Sequence, residues 1–241
     1  MAKKINIKGV IIPNNDKWIY DWFEMDSTCP REVEKEVEKA NGEDLEVIIN
    51  SPGGDVFSGS EIYTLLKDYN GNVVVKIVGV AASAASIIAM AGKKIMMSPT
   101  AEMMIHNVSS CACGDYRDFE HEAGVLKDYN STIANAYMIK SGMTKEELLS
   151  MMDEETWLTP EKALEYKLID EIMFMDNTPK LAASFGGTML PQEVINKIRN
   201  TLKNPGIDMN NDSDILMQQS KAKLNLLKLK RRDEQWINKN I

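Results

Sequence analysis

Residues 45–55 of this 241-residue chain read Leu-Glu-Val-Ile-Ile-Asn-Ser-Pro-Gly-Gly-Asp, an apolar run that ends in a glycine turn. The first half of this stretch is typical of a β-strand, and the Ser-Pro-Gly-Gly motif is typical of a turn. Residues 73–80 form a second, β-branched run, which predicts another strand. Because helical patterns at 31–40 and 59–69 alternate with these strands, the sequence predicts an α/β fold with a largely parallel sheet.

Further elements follow the second strand. Small residues dominate 81–91, which the sequence predicts to be a helix packed closely against the sheet. Two short strands are predicted at 94–98 and 103–106, and a long helix at about 115–141. Thr144 then begins a Thr-x-x-Glu pattern, which is that of a capping box at the start of a helix.

The charge of the chain changes sign near residue 178. Residues 1–178 contain 17 Lys+Arg and 30 Asp+Glu, a net charge of −13, whereas residues 179–241 contain 11 and 6, a net charge of +5. An acidic body is a poor binder of polyanions, so we expect no nucleic-acid partner for it. We therefore predict one domain over 1–178, followed by a linker and a basic helical extension over 179–241.

The composition excludes several classes of protein. No apolar stretch approaches the length of about 20 residues that spans a bilayer, and the first residues lack the pattern of a secretory signal. Cys29, Cys111 and Cys113 have neither the spacing of a zinc site nor that of a disulfide framework. We therefore expect a cytoplasmic protein that binds no membrane, metal or organic cofactor.

One constellation of residues could carry chemistry. Gly53 and Gly54 can expose backbone N–H groups because they have no Cβ. Ser83 lies at the first turn of the small-residue helix, where N–H groups are unpaired, and His106 ends the later strand. His106 could therefore act as general base for Ser83. Taken singly, these features have plainer interpretations, namely a turn, a closely packed helix and a buried histidine.

In this order, the motifs resemble those of the Clp serine peptidase family over about residues 45–172. The similarity lies in Ile49-Asn50-Ser51-Pro52-Gly53-Gly54, Gly79-Val80-Ala81-Ala82-Ser83, Ala91-Gly92, Met104-Ile105-His106 and Trp157-Leu158-Thr159-Pro160-Glu161-Lys162-Ala163. The resemblance implies a crotonase-like Clp protease fold, with a mainly parallel sheet and a protruding long helix. It implies these roles: nucleophile Ser83, base His106, oxyanion donors Gly54 and Ala84, and substrate-binding residue Gly53.

The acidic member of the triad is where this chain departs from the family. The resemblance places Glu155 where the family has an aspartate, and a glutamate can serve in such triads. Asp153 and Glu154 stay open as alternatives, as does an exposed acidic loop without a catalytic role. Asp170 matches a family aspartate that is not catalytic.

Two further residues are tempting by composition. Ser86 is a rival to Ser83 as nucleophile, but its place three residues into the helix favours a packing role. His121 is the second histidine, and the charged residues around it predict a position on the surface.

Within the family, the chain is more similar to the phage head-maturation branch, whose members cut scaffold and capsid proteins. The similarity rests on Ala82-Ser83-Ala84-Ala85-Ser86, on Glu155-Thr156-Trp157-Leu158 and on the basic extension. The family also implies stacked homo-oligomeric rings, with the helix at 115–141 as the stacking element, inside a bacterial cell that could carry the gene on a prophage. Because Trp18–Phe23 replaces the usual N-terminal segment, we do not expect an ATPase partner.

Three alternatives stay open at this point. The first is a housekeeping Clp-type peptidase that works with an unfoldase ATPase. The second is a crotonase-like acyl-CoA enzyme, because that fold also uses paired backbone N–H groups to hold an oxyanion. The third is a non-catalytic assembly protein, in which the basic extension would be the working part.

Overall fold

Two long neighbouring strands, β3 (Leu45–Gly54) and β4 (Val73–Ala82), form the centre of the fold. The structure is a computed structural model, and it describes residues 2–175. The strands are β1 (Lys3–Ile11), β2 (Ser27–Thr28), β3 (Leu45–Gly54), β4 (Val73–Ala82), β5 (Lys94–Met97), β6 (Glu102–Ile105), β7 (Thr156–Leu158) and β8 (Glu171–Ile172). The helices are α1 (Lys17–Trp22), α2 (Pro30–Ala40), α3 (Val56–Lys67), α4 (Ala84–Ala89), α5 (Tyr116–Ser141), α6 (Lys145–Asp153) and α7 (Pro160–Glu165). The predicted extension over 179–241 lies outside the described residues.

The strands form one sheet in the order β2-β1-β3-β4-β5-β8, and all of these pairs are parallel. The end of β4 also pairs with β6 in parallel, and β7 runs antiparallel to β6. Parallel strands need crossover connections, which explains why helices separate most of them along the chain. The predicted α/β fold with a mainly parallel sheet is therefore confirmed.

The core is densest at the two central strands. Val47 and Ile49 on β3, and Val75 and Ile77 on β4, have no exposed surface at all. Burial of a β-branched side chain of this size stabilises the fold by about 1.5–3 kcal/mol. This rigid centre carries Gly53 and Gly54 at the end of β3 and Ser83 directly after β4, at the same edge of the sheet.

Two predicted helix bounds were wrong. Helix α3 begins at Val56 rather than 59, because the Asp55 side chain accepts a hydrogen bond from the Ser58 N–H at 2.8 Å and so caps the helix early. Helix α4 covers only Ala84–Ala89 of the predicted 81–91, because the chain stays extended through Ala82 to pair with β6. Ser83 therefore precedes the first turn of the helix.

The long helix agrees with its prediction. α5 contains 26 residues, begins at a capping box formed by Asp115 and Asp118, and ends at Gly142, whose φ of 75° glycine adopts without the steric cost of a Cβ. Phe119 and Ile139 of α5 are largely exposed, whereas its Tyr137 is buried. Within residues 2–175, none of the helices combines the length and the apolar character needed to cross a membrane.

A second capping box allows a test of local stability. The Oγ1 atom of Thr144 accepts a hydrogen bond from the Glu147 N–H at 3.3 Å, and Glu147 Oε2 accepts one from the Thr144 N–H at 3.0 Å. We expect Thr144→Ala to lower the free energy of unfolding by about 1 kcal/mol, measured by urea denaturation. Thr132→Ala is the matched control, because its exposed hydroxyl bonds only to the Asp128 carbonyl within α5. Equal stability of the two variants would contradict the prediction.

Candidate active site

The C-terminal end of β3 is shaped by two glycines. The Ser-Pro-Gly-Gly motif was predicted to be a turn, but it is extended, because Gly53 and Gly54 pair with Val10 and Ile11 of β1. Gly53 has a φ of +96°, and a Cβ there would lie 2.6 Å from the Ala82 carbonyl oxygen and 2.7 Å from Ser83 Cβ. A Cβ on Gly54 would overlap the Ile11 carbonyl of the neighbouring strand. Only glycine therefore lets this end of β3 pass so close to both Ser83 and β1.

A buried serine holds the glycine end of β3 in place, and sequence reasoning assigned it no role of its own. The Ser51 hydroxyl donates a hydrogen bond to the Gly9 carbonyl at 2.6 Å and accepts one from the Gly53 N–H at 3.1 Å. Ser51 has no exposed surface, so these bonds are shielded from water. Its place in the Ser-Pro-Gly-Gly motif was the available signal.

The pairing of β4 with β6 brings Ser83 and His106 together. Ala82 lies opposite Met104 in the sheet, and the Ser83 N–H donates a hydrogen bond to the Met104 carbonyl at 3.0 Å. His106 directly follows β6, and its Nε2 atom lies 2.8 Å from Ser83 Oγ. This distance is that of a hydrogen bond between a hydroxyl and an imidazole.

Ser83 occupies a strained turn between strand and helix. Its backbone has φ 55° and ψ −127°, a region that non-glycine residues rarely adopt and that costs on the order of 1–3 kcal/mol. Such a conformation persists only where its surroundings fix it. Here it directs the hydroxyl out of the sheet edge toward His106 and the adjoining cavity.

The predicted oxyanion donors lie beside this pair. Gly54, Ala84, Ser83 and His106 all line one cavity of about 440 Å³. The Ala84 N–H belongs to the first residue of α4, where backbone N–H groups have no acceptor within the helix. Gly53, predicted to bind substrate, is buried behind the Ser83 turn and does not line the cavity.

The remaining walls of the cavity combine apolar residues with polar ones, among them Asp55 and Glu122. They come from the start of α3, from α4 and from one face of α5, and they include Val56, Ile87, Leu126, Ile133 and Tyr137. The loop that follows His106 forms a further wall. A space of this size and character beside a nucleophile can accept an apolar side chain of a substrate.

The predicted acidic residues come just before β7, which pairs with the strand that precedes His106, but their carboxylates are hydrogen-bonded to other groups. Ile105 lies opposite Thr156 in the last pair of the antiparallel ladder, and His106 and Glu155 are the next residue on each side of it. Glu155 Oε1 accepts a long hydrogen bond, 3.4 Å, from the Trp157 indole N–H. Within residues 2–175, neither the Glu155 nor the Asp153 carboxylate is hydrogen-bonded to the His106 ring. Of the predicted triad, only Ser83 and His106 are therefore in contact.

The alternative acids also have other positions. Asp153 Oδ1 accepts a hydrogen bond from Asn107 Nδ2 at 2.7 Å, one residue beyond His106. Glu154 is the exposed C-cap of α6. Asp170 accepts a hydrogen bond from the Ile95 N–H at 2.6 Å and forms an ion pair with Lys140, which agrees with a structural role.

Two other predicted positions are as the sequence indicated. Ser86 has no exposed surface, and its hydroxyl donates to the Ser83 carbonyl at 2.6 Å instead of meeting a base. His121 is exposed on α5. In the part of the chain that the structure describes, no group of three or more His, Cys, Asp or Glu side chains is arranged to hold a metal ion.

The arrangement suits one kind of chemistry. A hydroxyl that shares a hydrogen bond with an imidazole can lose its proton as it attacks a carbonyl carbon. Backbone N–H groups on the same cavity wall can stabilise the negative charge that develops on the carbonyl oxygen.

Comparison with known proteins gives a consistent result. A family model described as Clp protease matches residues 35–176. The chain is 32% identical over 133 residues to an ATP-dependent Clp protease proteolytic subunit of Deinococcus radiodurans, a match that covers 54% of this chain and 65% of that one. A protein of the same name from Bacteroides fragilis is 32% identical over 134 residues, covering 55% and 65%. The matched part thus spans less than two thirds of these curated relatives.

A solved structure shows the same fold. It is a mutant of ClpP1 from Listeria monocytogenes, which superposes with a TM-score of 0.59 and covers 71% of this chain and 91% of its own. The sequence identity of 23% is low, so this likeness concerns the fold alone.

Proposed function

This chain belongs to the Clp protease family, and from that membership and the geometry of its site we propose that it is a serine peptidase that hydrolyses peptide bonds. The observation that carries the proposal is the 2.8 Å separation of His106 Nε2 and Ser83 Oγ on the wall of a cavity. The reaction of an acyl-CoA enzyme does not need a serine paired with a histidine, so the peptidase is favoured over the crotonase-like alternative.

In the proposed mechanism, His106 Nε2 accepts the hydroxyl proton while Ser83 Oγ forms a bond to the substrate carbonyl carbon. The carbonyl oxygen becomes an oxyanion, held by the N–H groups of Gly54 and Ala84. His106 then donates its proton to the leaving amine as the C–N bond breaks, which leaves an acyl-enzyme. Water, activated by His106 in the same way, releases the acid and restores Ser83. Glu155 is the proposed orienting acid, with Asp153 as the alternative.

We further propose that the protein acts in phage head maturation, on scaffold or capsid proteins. Support comes from the residues around Ser83 and Glu155 and from the basic segment 179–241, with its net charge of +5 on an acidic chain. The alternative is a housekeeping peptidase that receives protein from an unfoldase ATPase. The neighbouring genes distinguish the two: portal and capsid genes would support the first role, and an unfoldase gene the second.

Homo-oligomeric rings are the proposed assembly, with α5 as the contact between rings. The exposed Phe119 and Ile139 of α5 are 52% and 64% accessible, and a second copy of the helix would cover them. Enclosed active sites would then restrict cleavage to unfolded segments or short peptides.

An active-site probe tests the peptidase directly. We expect a fluorophosphonate to form a single covalent adduct on Ser83, located by peptide mass spectrometry, because the probe needs a serine activated by a base. Ser83→Ala should abolish the adduct, and Ser60→Ala, which removes an exposed hydroxyl on α3, should leave it unchanged. An unlabelled wild-type chain would favour the acyl-CoA or assembly alternatives, and an adduct on another serine would refute the proposed nucleophile.

A further inference from the structure

The hydroxyl groups of Ser86 and Tyr137 lie directly behind the nucleophile. We propose that these two residues form a hydrogen-bonded pair that positions Ser83 for attack, a role that rests on the proposed peptidase function. Neither residue touches the reacting atoms. They act through the backbone of Ser83, so both are positioning residues.

The direction of the hydrogen bonds follows from their partners. Ser86 Oγ lies 2.6 Å from the Ser83 carbonyl oxygen, which can only accept, so the serine hydroxyl donates its single hydrogen there. The same Ser86 Oγ lies 2.7 Å from the Tyr137 hydroxyl. Because Ser86 has no second hydrogen to give, Tyr137 is the donor in that bond. The three groups thus form one directed chain, from Tyr137 through Ser86 to Ser83.

Burial makes this chain of hydrogen bonds strong. Ser86 is 0% exposed and Tyr137 1% exposed, so water cannot replace either bond. Burial also raises the pKa of the Tyr137 phenol far above its usual range, and the hydrogen bond to Ser86 lowers it only in part. The phenol therefore keeps its proton, and stays a donor, at any pH at which the protein works.

The backbone of Ser83 needs support on both sides. Its φ of 55° is strained, and its N–H is already fixed by the Met104 carbonyl of β6, the strand that ends before His106. On the other side, its carbonyl accepts hydrogen bonds from the Ser86 hydroxyl and from the Ser86 N–H at 2.9 Å. The first anchor ties Ser83 to the strand of its base, and the second ties it to α5 through Tyr137. Together they hold Oγ at hydrogen-bond distance from His106.

Sequence separation explains why this pair is visible only in three dimensions. Ser86 and Tyr137 are 51 residues apart, on α4 and α5. The proposed role also explains why the sequence offers Ser86 as a second candidate nucleophile beside Ser83. Ser86 lies near the site because it supports the nucleophile, and its own proton is engaged by the Ser83 carbonyl.

Three variants of the full chain test the proposal: Ser86→Ala, Tyr137→Phe and the double variant. The measurements are kcat and KM for a short peptide, the rate of fluorophosphonate labelling, and Tm. We expect Ser86→Ala to lower kcat and the labelling rate about ten-fold with KM within two-fold, because a small misplacement of a nucleophile is costly. Tyr137→Phe should lower both rates by at least three-fold, and adding it to Ser86→Ala should lower them by no more than a further two-fold.

In the double variant, Tm and the rates should respond differently. Ser86→Ala leaves the buried Tyr137 hydroxyl without its partner and should lower Tm, whereas the double variant removes both polar groups and should recover part of that loss. The rates should not recover with it. Ser141→Ala is the matched control. It removes a buried hydroxyl that donates to the Tyr137 carbonyl at 2.8 Å and accepts from the Met143 N–H at 3.1 Å, and that has no hydrogen bond to Ser83.

The outcomes separate the two proposals. If the wild-type chain neither cleaves peptides nor takes the label, the proposed peptidase function fails. If the wild type is active and Ser86→Ala or Tyr137→Phe loses less than three-fold in labelling rate, the positioning role is overturned. The positioning role is also overturned if the rates rise again with Tm in the double variant, or fall equally in Ser141→Ala, because packing alone would then explain them.

Discussion

Replacement of His106 by alanine is expected to lower kcat for a short peptide by roughly 10⁴–10⁶-fold, the loss seen when a serine peptidase loses its base. The reason lies in the 2.8 Å contact between His106 Nε2 and Ser83 Oγ, because a serine hydroxyl is a weak nucleophile without a base to take its proton. KM should change little, since the walls of the cavity that would hold the substrate stay in place. The measurement is steady-state cleavage of a fluorogenic peptide by the full chain.

The control for this prediction is the other histidine among the described residues. His121 is exposed on α5, and His121→Ala should keep the wild-type rate. Ser83→Ala should match the loss of His106→Ala, and the double variant should be no slower than either, because the two residues act as one unit. If the loss in the double variant equalled the product of the two single losses, the residues would not act as one unit. Activity of His106→Ala within ten-fold of wild type would refute the assignment of the base.

Sequence reasoning located Ser83 and His106 because both follow apolar strands of a parallel sheet. The edge at which such strands end is shared, so two polar residues at strand ends are close in space even when 23 residues separate them. The same reasoning misjudged α4, because the small residues Ala81 and Ala82 suit a helix as well as a strand. Pairing with β6, a contact across the sheet, decides between the two.

Contacts between side chains from distant elements could not be predicted in this way. Tyr137 gives no signal of its own within α5, since an aromatic residue on an amphipathic helix is most often simply core. The choice between Glu155 and Asp153 is a similar case. Both lie in one short acidic run, and which carboxylate can meet the imidazole depends on how β7 is registered against β6.

Exchange of Glu155 for glutamine is expected to lower kcat by about 10²–10⁴-fold, if this carboxylate is the third member of the triad as we propose. An acid in that place holds the imidazole in the productive tautomer and stabilises the imidazolium, and an amide does neither. The upper value is the loss for an aspartate in a well-formed triad. A smaller loss is expected where the longer, exposed glutamate must first turn to reach the ring.

The present position of Glu155 defines what has to move. Its carboxylate accepts a 3.4 Å hydrogen bond from the Trp157 indole, which is long and lies at the surface, so exchanging it for the His106 ring costs little. Trp157→Phe removes that competing donor and should leave kcat unchanged or raise it. The β6–β7 ladder ends at the Ile105–Thr156 pair, and His106 and Glu155 are the next residue on each side, so we expect a rotation of the Glu155 side chain to bring its carboxylate to the ring.

Asp153→Asn is the matched comparison for Glu155→Gln, because each removes one negative charge from the same acidic run. Asp153 bonds to Asn107 at 2.7 Å, and its loss should cost less than about ten-fold in kcat if it only holds the loop after His106. A larger loss in Asp153→Asn than in Glu155→Gln would transfer the role to Asp153. Losses below ten-fold in both would refute both carboxylates as the acid that orients His106.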